Sequence, residues 1–213
     1  MVSACRDFRK RQPMRFPSTT FSLPLWLEDF LADFDKTYPS PRDRMRLVVE
    51  MSRLNVERGT GGPFAAGVFD RETNRLFAPG LNLVVESGCS VAHAEIVALA
   101  TAQRMRGHYD LAGEGSPGYE LVSSAEPCAM CQGAIPWSGV RSLVCGARGE
   151  DALGIGFDEG IKAADWVAQF EARGISVMRD VCREEAAAVL RAYGDGGGII
   201  YNGRRSGVAR PGA

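Results

Sequence analysis

The sequence predicts a three-layer α/β/α domain on a central mixed five-stranded sheet, and three observations lead there. Segments of helical and strand periodicity alternate along most of the chain. The first two strands are separated by a stretch short enough for a hairpin, which makes them antiparallel. Each later strand is reached through a helical segment, as parallel neighbours require. A length of 213 residues, 45% of them hydrophobic, can bury one such core without disulfide help.

The elements follow in order. Residues 1–41 form an N-terminal arm of Arg, Pro, Ser and aromatics, in which Phe21 to Phe34 centre a short helix on Leu25, Trp26, Leu27, Phe30 and Leu31. A helix begins after Pro41, with Met45, Val48, Val49, Met51, Leu54 and Val56 on its apolar side, and stops at Gly59 before the breaker Gly61–Gly62–Pro63. Strands at 64–69 and 75–86 form the hairpin around Asp70–Asn74, with Pro79–Gly80 as a kink or bulge. Residues 92–106 repeat apolar side chains at helical spacing and close at Gly107. A glycine-rich loop leads to a strand at 119–123. A helix then runs from Pro127, a residue tolerated in a first turn, towards Gly139. Strand 142–146, helix 161–173, strand 175–178 and helix 183–193 complete a domain over 42–195. The tail, 196–213, opens with three glycines followed by Ile199–Ile200–Tyr201–Asn202.

Charge is nearly balanced, with 25 Lys+Arg against 26 Asp+Glu. A protein gripping a long nucleic acid shows a basic excess or stripe, so a small neutral substrate fits better than a polyanion. The clusters Arg9–Lys10–Arg11 and Arg204–Arg205 read as solvated ends. No apolar run reaches bilayer length, and no apolar stretch follows the basic N-terminus as a secretory signal would demand. The six cysteines read as reduced, which makes the cytoplasm the expected compartment.

Two segments carry chemistry: Ala92–His93–Ala94–Glu95 and Glu126–Pro127–Cys128–Ala129–Met130–Cys131, each at the expected start of a helix. One imidazole and two thiolates fill three of zinc's four positions and leave the fourth for water. Helix N-termini favour thiolate over thiol, so Cys128 and Cys131 ionise readily. Zinc lowers the pKa of its bound water towards about 7, yielding a hydroxide nucleophile. Glu95, two residues from His93, is placed to shuttle the proton without ligating the metal. A redox reading of the Cys pair leaves His93 and Glu95 without a role. A structural zinc would need a fourth ligand, for which Cys89 and Cys145 are the candidates. His108 reads as a surface residue.

His-x-Glu followed by Pro-Cys-x-x-Cys is the signature of zinc-dependent nucleobase deaminases. Over about residues 42 to 203 the chain resembles the cytidine deaminase-like superfamily, and within it bacterial guanine deaminases. The segments that carry the resemblance are Gly62–Pro63–Phe64–Ala65–Ala66, His93–Ala94–Glu95, Ser124 through Cys131, Trp137–Ser138–Gly139–Val140 and Gly156–Phe157–Asp158–Glu159–Gly160. The zinc motif is shared with cytosine, cytidine and tRNA adenosine deaminases; the Gly-Phe-Asp-Glu-Gly segment is the more specific. The resemblance implies one zinc per subunit and deamination of guanine to xanthine and ammonia, in purine catabolism. Hydroxide on zinc would attack C2, with Glu95 and Glu159 as catalytic acids and bases. Guanosine, cytosine and ammeline are alternative substrates, and tRNA adenosine is disfavoured by the charge balance.

For substrate contacts, Asp158 and Glu159 suit the N–H edge of guanine, or else cap the helix expected at Ile161. Phe157 offers a stacking face. Asn82 suits a purine edge or a bulge, Phe64 a pocket wall or the core, and Trp137 the pocket or a dimer surface; Ala92 sits beside the ligand His93. The resemblance further implies a homodimer in which Ile199–Asn202 caps a pocket, its own or that of an exchanged partner.

Overall fold

The computed structural model describes residues 19–33 and 35–202; both basic clusters, Cys5 and Phe34 lie outside the described residues. Within the arm, helix α1 covers only Trp26–Phe30. Pro24 disfavours helical backbone before it, so the residues from Phe21 onward do not join. Helix α2, Pro41–Glu57, starts at a capping box in which Ser40 and Asp43 exchange side-chain and backbone hydrogen bonds, and it buries Met45, Val48 and Met51.

Strands β1 (Ala65–Asp70) and β2 (Leu76–Leu81) form the expected hairpin. Asp70 Oδ1 accepts from the amides of Glu72 and Thr73 and closes the turn. The second strand is shorter than the sequence suggested: it ends at Leu81, and Val84–Ser87 is a short helix, α3. The ladder's irregularity falls between Val68 and Phe69 rather than at Pro79–Gly80. Gly80 has a different task. A Cβ there would overlap the Ala94 carbonyl and the Ala98 amide, so the missing side chain lets the next helix lie directly on β2.

That helix, α4, spans Ala94–Arg106 and ends at Gly107 with φ 70°. Strand β3 (Tyr119–Ala125) follows, then α5 (Ala129–Ser138) and β4 (Ser142–Ala147). Helix α5 begins later than Pro127 because Cys128 is extended, at φ −66° and ψ 172°. Helix α6 (Gly149–Gly154) was not anticipated. The helix expected at 161–173 shrinks to α7, Trp166–Glu171, capped at Asp165. Strand β5 (Ser176–Met178) and helix α8 (Arg183–Asp195) complete the fold.

The sheet order is β2-β1-β3-β4-β5. Strand β1 is antiparallel to both β2 and β3, whereas β3–β4 and β4–β5 are parallel. Alternate residues of each strand face opposite layers. Ala66, Val68, Leu121, Leu143 and Cys145 pack with α4, α5 and α7, while Phe69, Val122 and Val144 pack with α2. Helix α8 lies on β4 beside α2. This is the mixed five-stranded, three-layer architecture that the alternation predicted.

The seat of α4 on β2 is testable. Gly80→Ala should cost about 1–3 kcal/mol of unfolding free energy in a urea titration, as overpacking does. Gly133→Ala in α5, which has no atom in its way, should be neutral or stabilising by up to about 1 kcal/mol. Equal effects would contradict this packing.

Candidate active site

Beyond the carboxyl ends of the parallel strands β3 and β4, where open α/β sheets place ligands, the starts of α4 and α5 meet. Each helix is capped by a residue in extended conformation, His93 for α4 and Cys128 for α5, and neither side chain is used in capping. Both therefore project from a helix N-terminus. One turn into α5, Cys131 joins them. The ligand atoms of His93, Cys128 and Cys131 lie within 4.8 Å of one another, and His93 Nδ1 is 3.5 Å from Cys128 Sγ. A tetrahedral ion with bonds of about 2.0–2.3 Å needs donors about 3.3–3.8 Å apart, so this nitrogen and these sulfurs fit zinc.

No fourth His, Cys, Asp or Glu joins that group among the described residues. Cys145 is buried in the core and Cys89 packs at the edge of another cluster, so a closed structural site is not formed. His108 is exposed, with Nδ1 near its own loop.

The electrostatics follow from burial and sharing. The Cys131 thiol donates to Cys128, and His93 adds to this, which holds Cys128 down to about 4. Cys131 is correspondingly pushed far up by that shared proton and by burial. Burial pulls His93 down, but Cys128 and the carboxylates of Glu95 and Glu159 outweigh it and leave the imidazole above its ordinary value. Glu95, in the first turn of α4, is pushed up to about 7 by burial and then by the Cys128 charge. A group titrating there suits proton transfer at neutral pH.

A cavity of about 380 Å³ opens on this cluster. Phe64, Asn82, Phe157, Asp158 and Glu159 line it together with His93, Glu95 and Cys128, so the expected substrate residues converge on one space. Phe64 and Phe157 meet edge to face at 5.1 Å. Asn82 lies just past the end of β2 and is almost wholly buried, and its Oδ1 accepts from the Val84 amide at 3.3 Å. No helix starts at Ile161, so Asp158 and Glu159 are not its caps. Asp158 Oδ1 instead accepts from Gly160 N, and the Glu159 carbonyl accepts from Ala129 N at 2.9 Å, satisfying the first amide of α5.

Two expected residues are elsewhere. Ala92 is fully buried in the core, outside the cavity lining. Trp137 is 85% exposed on the outer side of α5, which removes its pocket reading.

The tail reaches the site on its own chain. Asn202 Nδ2 donates to the Gly156 carbonyl and its Oδ1 accepts from Asp158 N, both at 2.8 Å, and Tyr193 Oη donates to the Ile199 carbonyl. These bonds bring Tyr201 against Phe157, 4.9 Å between rings, and against the position where a Gly62 side chain would stand. The sequence reading missed two further groups. Glu126 lines the cavity, accepts from Gly149 N at 3.1 Å, and pairs with Arg179 and Arg148. Lys162 pairs with Glu159 at 3.0 Å. Its signal was the spacing of three between acid and base, hidden by reading that stretch as helix.

Comparison with known proteins bears on this geometry. The description of the cytidine and deoxycytidylate deaminase zinc-binding region matches residues 40–147. Guanine deaminase of Bacillus subtilis is 34% identical over 115 residues, covering 54% of this chain and 69% of that protein. The solved guanine deaminase of Nitrosomonas europaea is 46% identical, with a TM-score of 0.78, covering 84% of this chain and 97% of that one. A mutant of NE0047 solved with 8-azaguanine is likewise 46% identical, at a TM-score of 0.78 over 84% of this chain and 98% of that one. A match over half of the sequence that includes every residue of the His-Cys-Cys cluster leads to one conclusion: this chain belongs to the cytidine and deoxycytidylate deaminase zinc-binding family.

Proposed function

We propose that the protein is a zinc-dependent hydrolytic deaminase that converts guanine and water to xanthine and ammonia. The observation that carries this reading is a single cavity that opens on the His93–Cys128–Cys131 cluster through His93 and Cys128, with the buried Glu95 and a wall of Phe64, Phe157, Asn82 and Glu159. The likeness to guanine deaminase over nearly the whole length of a solved relative supports guanine as the base.

His93, Cys128 and Cys131 would hold one zinc per subunit, which supplies Lewis acidity that makes water nucleophilic near neutral pH. The protein's own groups do the rest. Glu95 takes a proton from the water that adds at C2 and returns it to the departing nitrogen. Glu159 accepts from the N–H edge of the purine or from the leaving amine, and the Asn82 amide pairs with an acceptor and donor on the ring. Phe157 and Phe64 supply stacking faces, a kind of contact worth about 1–3 kcal/mol per base. The tail from Ile199 to Asn202 excludes bulk water.

In this reading residues 42–195 form the deaminase domain, 1–41 an arm and 196–213 the cap. The reaction belongs to purine breakdown. The five described cysteines are all free thiols, which supports a reducing compartment such as the cytoplasm. Among the described residues no helix is long and apolar enough to cross a membrane. Trp137 sits in a groove with Ile96, Leu99 and Ala134 and leaves most of its indole in water, which supports a second copy of this chain as its cover. Trp137→Glu should then convert a dimer to a monomer in sedimentation velocity; a wild-type protein that is already monomeric would refute the homodimer.

Zinc uptake should be linked to protons. Cys128 is already ionised at pH 7, whereas Cys131 retains its proton until a metal replaces it. Zinc titrated into metal-free protein should release at least one proton, the shared one of the cysteine pair together with any that the raised His93 still carries, with affinity rising about tenfold or more per pH unit. Calorimetry in buffers of different ionisation enthalpy reads this directly, and zero release would contradict the shared-proton pair.

Ammonia release from guanine, guanosine, cytosine, adenine and ammeline tests the substrate. Guanine should give the highest kcat/KM, and preference for another base would redirect the assignment to it. Glu95→Gln should retain zinc by elemental analysis yet lose about 10²–10⁴-fold in kcat. Retained turnover would rule out Glu95 as the proton carrier.

A further inference from the structure

Lys162 does not line the cavity, yet it stands half-buried beside a carboxylate that does. Its Nζ donates to Glu159 Oε2 at 3.0 Å, with the two side chains 18% and 10% exposed. Two independent features hold it there. Gly149, at the start of α6, has no side chain, and a Cβ at that position would overlap the Lys162 ammonium and come within 3.6 Å of Glu159 Oε2. Between Phe157 and Lys162 the chain follows an irregular path, with Gly160 at φ 70°, and it is pinned by the Glu159 carbonyl to the first amide of α5. The irregular loop thus turns a carboxylate and an ammonium inward side by side.

We propose that Lys162 is the positioning residue of the site: it grips Glu159 by one oxygen so that the other is presented to the substrate. The inference rests on the guanine deaminase reading for the identity of that substrate. A glutamate side chain has several rotatable bonds and would otherwise wander or turn to solvent. Burial also drives a carboxylate towards its neutral form, and an oxygen that carried the proton would donate to a guanine N–H edge that needs an acceptor. Burial does raise Glu159 above its ordinary value, and the Lys162 charge opposes that rise. The other groups facing Glu159 are His93 from the start of α4, Cys128 from the start of α5 and Tyr201 from the tail. Lys162 is the cation among them that is not committed to the metal cluster.

The test uses the zinc-loaded protein. Lys162→Met should keep zinc content while kcat for guanine falls about 10–100-fold, more than any accompanying fall in melting temperature accounts for. The sign of the pH effect is fixed: without the ammonium, Glu159 binds its proton more tightly, so the acid limb of kcat/KM moves to higher pH. Lys162→Arg, which keeps the charge but is crowded at Gly149, should restore the limb more fully than kcat. A loss of activity with an unmoved limb and a matching fall in melting temperature would make Lys162 merely structural and overturn the proposal. A substrate-free measurement separates this from the functional reading. In protein carrying ¹³C-labelled glutamate, with Glu159→Gln assigning the resonance, the Glu159 carboxyl should titrate at higher pH in Lys162→Met than in wild type. An unchanged titration overturns the proposal whatever the substrate is. Wild type that fails to deaminate guanine while showing that shift would sink the guanine reading and leave the hold of Lys162 on Glu159 standing.

Discussion

The convergence of two helix N-termini on one point is the constraint around which this molecule is arranged. Helix N-termini carry unpaired amides and partial positive charge, and bringing two of them together is unfavourable unless something anionic lies between. The thiolate of Cys128 and the carboxylate of Glu95 meet that need. The scaffold supplies the geometry. Helix α4 is fixed in depth by its contact with β2 at Gly80, and α5 is fixed by the parallel pair β3–β4 on either side of it in sequence. The link between β3 and α5 is tied down at Glu126, whose amide donates to Ala147 at the end of β4 and whose side chain accepts from Gly149. A shift of either helix by an ångström would separate donors that would have to share one ion, which is why the packing that sets their depth matters to the proposed chemistry.

Much of this was legible in the chain. Helix α2 was readable because apolar residues repeat at helical spacing between Pro41 and Gly59, and the Ser40–Asp43 box found in the structure agrees with that start. The ligand cluster was readable because zinc chemistry restricts both residue type and spacing. Elements failed where tertiary contact overrode local preference. Val84–Glu86 has strand-forming residues, yet the chain must turn after Leu81 to bring Ala92 and His93 back, and it does so as a helical turn. The stretch from Ile161 to Asp165 has helical periodicity, but it is drawn out to pack Glu159 and Lys162 against α5 and α6. Ala92 and Trp137 illustrate a limit of motif reading. Ala92 adjoins His93 and Trp137 lies in a segment that carries the family resemblance, yet loop geometry turns the first into the core and helix geometry turns the second outward.

The tail shows how a weak sequence signal becomes specific in three dimensions. Three glycines before two isoleucines indicate only a hinge and an apolar anchor. In the structure the anchoring is polar as well as apolar: both polar atoms of the Asn202 amide are used on the loop that carries Phe157 to Gly160. The tail and that loop therefore form one wall. Tyr201, whose hydroxyl is buried without a partner and whose phenol is pushed far above its ordinary value by burial, lies where this wall approaches Gly62. An unsatisfied hydroxyl at that depth costs about 1–3 kcal/mol, and it is held there by the contacts on either side.

Charge accounting then separates scaffold from chemistry. Five acidic groups crowd the end of the sheet: Glu95, Glu126, Glu159, Cys128 and Cys131. Burying them together is tolerable only where each is matched. Glu126 is matched by Arg179 and Arg148, and Glu159 by Lys162. What is left among the described residues is Glu95 and the cysteine pair against the imidazole of His93, an excess of acidic groups over the cations paired with them. In the protein alone protons relieve it: burial and then the Cys128 charge push Glu95 up to about 7, and the proton shared with Cys128 together with burial pushes Cys131 far above its ordinary value. A divalent cation would relieve it better, because it would answer both thiolates at once and leave the Glu95 carboxyl free to gain and lose a proton. The groups that the scaffold leaves unmatched are thus the ones the chemistry needs.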